Sequence, residues 1–175
     1  MQDITFNRIA FTGFAGAGKD TAAECLIKQE GYERKSFGDI IKTQLDPLVK
    51  RHFNFSAHTL DHIEKGQIRR TLEMWGEDNY KSIEAEFFRS LPERCVNTRL
   101  CRRPEAEQWK ARGGIIIEVV RSNNPIQQGP SESKWLLEIE PLVDHIVFNN
   151  RGVEYLWDQV MSIAQGKVTG KVGNL

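Results

Sequence analysis

Short apolar runs alternate along the chain with stretches whose apolar residues recur every three or four positions. This is the rhythm of strands joined by helices. Residues 8–12, Arg-Ile-Ala-Phe-Thr, read as a buried strand that stops at Gly13. Residues 19–29 follow as a helix with Ala22, Ala23, Leu26 and Ile27 on one face, closed by Gly31. Residues 33–37 form a short second strand. The block 39–91 reads almost wholly helical, with breaks near 53–56 and at Gly76, and is too long for a single crossover helix. It predicts a helical insertion covering one end of a sheet. Residues 94–98 make a short strand after Pro92, and 104–112 a helix with Pro104 in its first turn, where a missing N–H costs nothing. Residues 115–120, Ile-Ile-Ile-Glu-Val-Val, are apolar enough to be buried on both faces, as central parallel strands are. A polar segment at 122–133 precedes a short helix at 134–139, a last strand at 145–148 and a last helix at 153–165. The glycine-containing tail 166–175 reads as frayed. The pattern predicts one α/β domain of about five mainly parallel strands with helices on both faces.

Composition narrows the function classes. The 175 residues carry 24 Lys plus Arg and 24 Asp plus Glu, a net charge of zero. No whole-molecule field draws this chain to nucleic acid or to a membrane surface. No apolar run approaches the ~20 residues that span a bilayer. Met1-Gln2-Asp3-Ile4-Thr5 lacks the basic start and apolar stretch of a secretory signal. Cys25, Cys95 and Cys101 are odd in number and contain no CxxC, which reads as reduced, packing thiols in a cytoplasmic protein. His58 and His62 stand four apart beside Asp61, but no third ligand accompanies them, and a solvated helix face is the expectation.

Residues 13–21, Gly-Phe-Ala-Gly-Ala-Gly-Lys-Asp-Thr, carry the sharpest chemistry. They satisfy the G-x-x-x-x-G-K part of a phosphate loop, between a predicted strand and a predicted helix. Small residues at Ala15, Gly16, Ala17 and Gly18 let successive N–H groups converge on phosphate oxygens, and the helix adds its positive end. Lys19 is placed to bridge donor phosphates and stabilise charge during transfer. Asp20 stands where the literal motif has Ser or Thr. A carboxylate there can still hold Mg²⁺, directly or through water, and Thr21 follows it. The expected nucleotide contacts are Gly13 and Ala15 to Thr21. The expected metal contacts are Asp20 and Thr21.

The Gly-Lys-Asp-Thr loop with residues 36–42, Ser-Phe-Gly-Asp-Ile-Ile-Lys, resembles the deoxynucleoside monophosphate kinases of bacteriophages. These belong to the P-loop nucleoside monophosphate kinase group, whose structural cousins include the dephospho-coenzyme A kinases. Residues 69–77, then Arg102-Arg103-Pro104-Glu105-Ala106-Glu107, Gly113-Gly114, Val119-Val120-Arg121, Pro130-Ser131-Glu132, Asp144 and residues 149–152 extend the similarity over nearly the whole chain. The resemblance implies a P-loop NTPase three-layer sandwich that moves the γ-phosphoryl of ATP, with Mg²⁺, to a nucleotide. It implies that Arg121 opens a lid-like segment at about 121–134 and neutralises the transferring group, and that the turn residues Asn149 and Gly152 after the last strand contact the nucleotide. Asp39, Lys42, Arg69, Arg70, Arg99 and Arg102 fall on its acceptor side. Asp39 also reads as a helix N-cap, Lys42 as a solvated helix face, and Trp75 as packing with Ile68 and Leu72. The family's third-strand aspartate has no acidic counterpart, since Asn97 or Arg99 stands in its place. The basic run Arg94, Arg99, Arg102, Arg103, Lys110 and Arg112 opens an alternative acceptor, a hydroxymethyl pyrimidine within DNA. A non-catalytic ATP-binding module is the further alternative. Monomer and homodimer both stay open.

Overall fold

In the computed structural model, which describes residues 5–124 and 130–168, the apolar runs become a five-stranded sheet. Its strands are β1 (Arg8–Thr12), β2 (Glu33–Lys35), β3 (Cys95–Asn97), β4 (Ile115–Val120) and β5 (His145–Phe148), in the order β2-β3-β1-β4-β5. The β1–β3, β1–β4 and β4–β5 pairings are parallel, with Ala10 opposite both Asn97 and Ile116, and Thr12 opposite Glu118. Parallel neighbours need crossovers, and helices supply them. The helices are α1 (Lys19–Glu30), α2 (Phe37–Phe53), α3 (His62–Asp78), α4 (Tyr80–Arg89), α5 (Arg103–Ala111), α6 (Pro130–Ile139) and α7 (Val153–Ala164). The three-layer α/β architecture expected from the pattern is present.

The chain divides into two compact units. One runs up to Arg34 and resumes at Pro92, and the other is Lys35–Leu91. In the first, alternate strand residues Ile9, Phe11, Val96, Ile117, Val119 and Val147 face one way. They pack on Ala22, Ala23 and Leu26 of α1 and on Leu156, Val160 and Ile163 of α7. Against the opposite face, Trp109 of α5 is fully buried and its Nε1 donates to the Ile115 carbonyl at 3.1 Å. A Cβ on Gly114 would overlap that indole, so glycine there permits the close approach. The outer edge of β5 would leave the Phe148 backbone unpaired. Gln159 of α7 covers it, accepting from Phe148 N–H and donating to its carbonyl, each at 3.0 Å.

In the second unit Leu45, Val49, Ala57 and Ile68 form a core with Ile41, Phe55 and Leu72 against it. Phe37 stacks on Phe87 at a centroid distance of 4.1 Å. Here the sequence reading needs correction in four places. β2 stops at Lys35 rather than 37, because Ser36 turns to cap α2, its Oγ accepting from Asp39 N–H at 3.2 Å. Ser36 is therefore the N-cap, and Asp39 lies in the first turn. Gly76 does not break α3; a Cβ there would stand 2.8 Å from Ile41 Cδ1, so the glycine admits α2 and the helix runs on to Asp78. Trp75 is 36 % exposed and donates from Nε1 to Gln44 Oε1 at 2.9 Å, instead of joining Ile68 in the core.

In the first unit α6 begins at Pro130, earlier than the expected 134. Of the tail expected to fray, Gly166 and Lys167 donate backbone bonds to Ile163 and Ser162, and the part beyond Val168 lies outside the described residues.

Two outcomes follow from these contacts. Gly114→Ala should destabilise by about 1–3 kcal/mol through overpacking against Trp109, read as a lower urea midpoint at unchanged slope. Asp46 is bonded by Lys50 at 2.6 Å, Ser56 Oγ at 2.7 Å and Ala57 N–H at 2.9 Å. Lys50 first, then Ser56, hold its pKa down at about 2. The folded value lies below the unfolded one of ~3.9, so the contribution is complete above that value and is lost as pH falls through the folded one. Stability curves of wild type and Asp46→Asn should converge between about pH 4 and pH 2.

Candidate active site

β1 ends at Thr12 and the chain turns through residues 13–18 into α1. Gly13, Gly16 and Gly18 take φ values of 127°, 77° and 102°, a region closed to most side chains. Every carbonyl from Gly13 to Gly18 accepts a hydrogen bond. Lys19 Nζ donates to Gly13 O at 2.7 Å and to Phe14 O at 2.8 Å. Asn124 Nδ2 donates to Ala15 O at 2.7 Å, Arg121 Nη1 to Gly16 O at 3.4 Å, and Asn149 Nδ2 to Ala17 O at 2.9 Å. Ala22 N–H takes Gly18 O at 2.8 Å. A carbonyl oxygen already bonded to a donor is partly neutralised, and an anion bound at the loop meets N–H dipoles and the α1 N-terminus.

Three of these ties come from loops that follow neighbouring strands. Arg121 and Asn124 follow β4, and Asn149 follows β5. The two loops are clipped together, since Asn150 Oδ1 accepts from Ser122 N–H and Asn150 Nδ2 donates to Ser122 Oγ, both at 3.0 Å. The structure thus brings Gly13, Ala15 to Lys19, Arg121 and Asn149 together. Asn149, expected on the nucleotide, stands against the loop itself. Gly152, at φ 97°, caps α7. The lid-like segment expected at about 121–134 includes residues 125–129, which lie outside the described residues.

Two residues escaped the sequence reading. Asn124 sits in a polar loop with no motif to mark it. Arg34 of β2 reaches Asp20 Oδ1 with Nη2 at 3.6 Å and donates from Nε to Thr98 Oγ1 at 3.4 Å. Asp20 is thus accompanied by a cation, and both side chains remain more than half exposed. Thr21 lies one residue along α1, and its carbonyl accepts from Trp157 Nε1 at 2.7 Å. Among the described residues no group of three His, Cys, Asp or Glu side chains stands close enough to enclose a metal.

On the acceptor side the placements divide. Asn97 is fully buried at the end of β3, its Oδ1 accepting from Arg99 N–H at 2.9 Å. The Arg99 side chain is exposed and lies against Cys101. Burial pushes the Cys101 thiol up, with partial opposition from Arg99. Cys25, enclosed in the core, is pushed up to about 12 by the same cause, so both thiols stay protonated. Arg102 precedes α5, its N–H donating to Glu105 Oε2 at 3.3 Å. Asp39 and Lys42 lie at the start of α2, and Arg69 and Arg70 on the exposed surface of α3, all within the 35–91 unit. Arg69 pairs with Glu73 at 3.7 Å. Much of the basic run is engaged locally: Arg94 on the Glu30 carbonyl, Arg103 with Glu107, Lys110 with Asp144 and Arg112 with Gln108.

No protein-family model matches the sequence, and no curated protein matches it either. Solved structures do resemble it. A shikimate kinase from Acinetobacter baumannii, in complex with shikimate, aligns over 93 % of this chain and 93 % of its own, at 17 % identity and a TM-score of 0.53. A dephospho-CoA kinase from Campylobacter jejuni aligns over 94 % and 100 %, at 15 % identity and a TM-score of 0.49. The first of these likenesses shows a shared fold.

The carbonyl ties carry a measurable consequence. Asn149→Ala should weaken binding of a fluorescent ATP analogue by about 2–10-fold, the worth of one hydrogen bond. Gly18→Ala, whose Cβ would overlap Asn149 Nδ2 at a positive φ, should abolish it.

Proposed function

We propose that this chain transfers the γ-phosphoryl group of ATP to a deoxynucleoside monophosphate. The observation that carries the reading is the loop at 13–18, with each carbonyl engaged by a donor and Lys19 folded over it, at the carboxyl edge of a parallel sheet. Ligands of open α/β sheets bind at that edge. Phosphoryl transfer asks little covalent chemistry of a protein and much positioning and charge stabilisation. The loop amides hold the donor phosphates, and Lys19, held beside them on the Gly13 and Phe14 carbonyls, adds its positive charge. Arg121, already beside the loop at Gly16, supplies a second positive charge to the transferring group.

Asp20 offers an exposed carboxylate and Thr21 a hydroxyl beside it. One carboxylate with phosphate oxygens and water is an ordinary donor set for Mg²⁺, so these residues fit the ion. When bound, Mg²⁺ supplies charge neutralisation on the phosphate oxygens. Arg34 pairs with the Asp20 carboxylate across 3.6 Å. The identity of the acceptor rests on the resemblance described above, which places Asp39, Lys42, Arg69, Arg70, Arg99 and Arg102 around it.

The test uses purified protein, Mg²⁺ and γ-labelled ATP. The acceptors are free deoxynucleoside monophosphates, hydroxymethyl forms included, and duplex DNA containing hydroxymethyluracil. Label is expected on a free monophosphate, with Lys19→Ala lowering kcat by about 10²-fold or more. Label on DNA alone would overturn the monophosphate acceptor, and ATP binding without transfer would overturn the kinase.

A further inference from the structure

Gly76 and Gly114 each make room for a neighbour within this chain, but Gly66 does not. It lies inside α3, where glycine is the poorest helix former after proline, and a Cβ there would meet nothing within 4 Å. Its position is exposed, so the room it leaves opens outward. Ile63, Arg70, Glu73 and Glu77 line up with it, spaced three and four apart, the interval that keeps side chains on one helix face. That face is opposite Ile68, which packs into the core of the 35–91 unit. All five positions are exposed, Ile63 at 75 %, with Met74 on the flank at 53 %. The charges decide what such a face can meet. Arg70 stands in its first half and Glu73 and Glu77 in its second, and the last turn of α3 holds no base. Carboxylates there oppose the helix dipole, so this order does not serve the helix alone. It serves a helix that runs the other way.

We propose that the outer face of α3 docks a second copy of this chain, the two helices antiparallel about a two-fold axis. With the axis between Thr71 and Leu72, Arg70 faces Glu73 of the second copy and Gly66 faces its Glu77, and symmetry repeats each contact. The missing side chain at Gly66 lets the helices approach, and Ile63 and Met74 bring apolar surface to the contact. Within its own chain Glu73 pairs with Arg69 at 3.7 Å, an exposed contact of little strength. Of the two arginines that the resemblance sets on the acceptor side, this assigns Arg70 to the second copy and leaves Arg69. One helix of 17 residues from each copy makes a contact below the standard ~800 Å² per partner, so the dimer is weak and reversible. It goes beyond the phosphotransferase reading and does not rest on it.

The experiment is sedimentation of the full-length chain over a concentration series. The wild type should dimerise reversibly, and raising salt from about 0.1 M to 1 M, which shortens the Debye length from ~10 to ~3 Å, should weaken the dimer. Arg70→Glu and Glu73→Arg each set like charges face to face, and each should raise the dimer Kd by about tenfold or more. Mixed together, the two variants regain both attractions and should form a heterodimer with a Kd near that of the wild type. That recovery also shows that both variants are folded. Gly66→Glu, whose side chain enters open space, should melt no lower than the dilute wild type and should not dimerise. A wild type that stays monomeric throughout the series would overturn the proposal. So would single variants that dimerise as the wild type does, a mixture that fails to associate, or a dimer that survives Gly66→Glu.

Discussion

A polypeptide can hold a phosphate with its backbone only if the carbonyl oxygens of the holding segment are kept away from it. Each peptide carries an acceptor as well as a donor, and an acceptor facing the anion would repel it. In this chain six consecutive carbonyls are engaged, and the donors come from α1, from the loop after β4 and from the loop after β5. The strand order 2-3-1-4-5 makes this arrangement available, since it seats β4 beside β1 and β5 beside β4. The loop is therefore shaped by the sheet as much as by its glycines. Those glycines supply the positive φ values, and Asn124, Arg121 and Asn149 supply the direction in which the peptide planes face.

Charge at the site is sparse and local. The chain is neutral overall, and several of its clustered arginines and lysines are bonded to nearby carbonyls or carboxylates. Among the described residues the loop has Lys19, Arg121 and the Arg34–Asp20 pair beside it, with Glu118 opposite Thr12 on β4. At the ends of β1 and β3 stand two uncharged side chains, Thr12 and Asn97, buried and incompletely bonded. Such groups cost stability in the folded protein.

The 35–91 unit illustrates how small local rules set helix limits. Ser36 caps α2, and Asp61 caps α3 by accepting from Ile63 and Glu64 N–H groups at 2.8 and 3.0 Å. Gly76, which reads in one dimension as a breaker, is an approach point for a neighbouring helix. A glycine inside a helix costs about 1 kcal/mol against alanine, and packing at the vacated site offsets it.

The sequence by itself determined the strand and helix alternation, the buried character of β4, the glycine-rich turn between β1 and α1 and the lysine that follows it. These are written in local periodicity and in a motif whose spacing follows from backbone geometry. It did not determine that Asn149 and Asn124 would close on loop carbonyls, 132 and 109 residues away along the chain. Nor did it show Arg34 reaching Asp20, or Thr12 and Asn97 sharing one face. Those pairings exist only because strands distant in sequence become hydrogen-bonded neighbours. A single asparagine or arginine in a polar loop has no periodicity to announce it, and the tertiary fold alone decides which oxygen it meets.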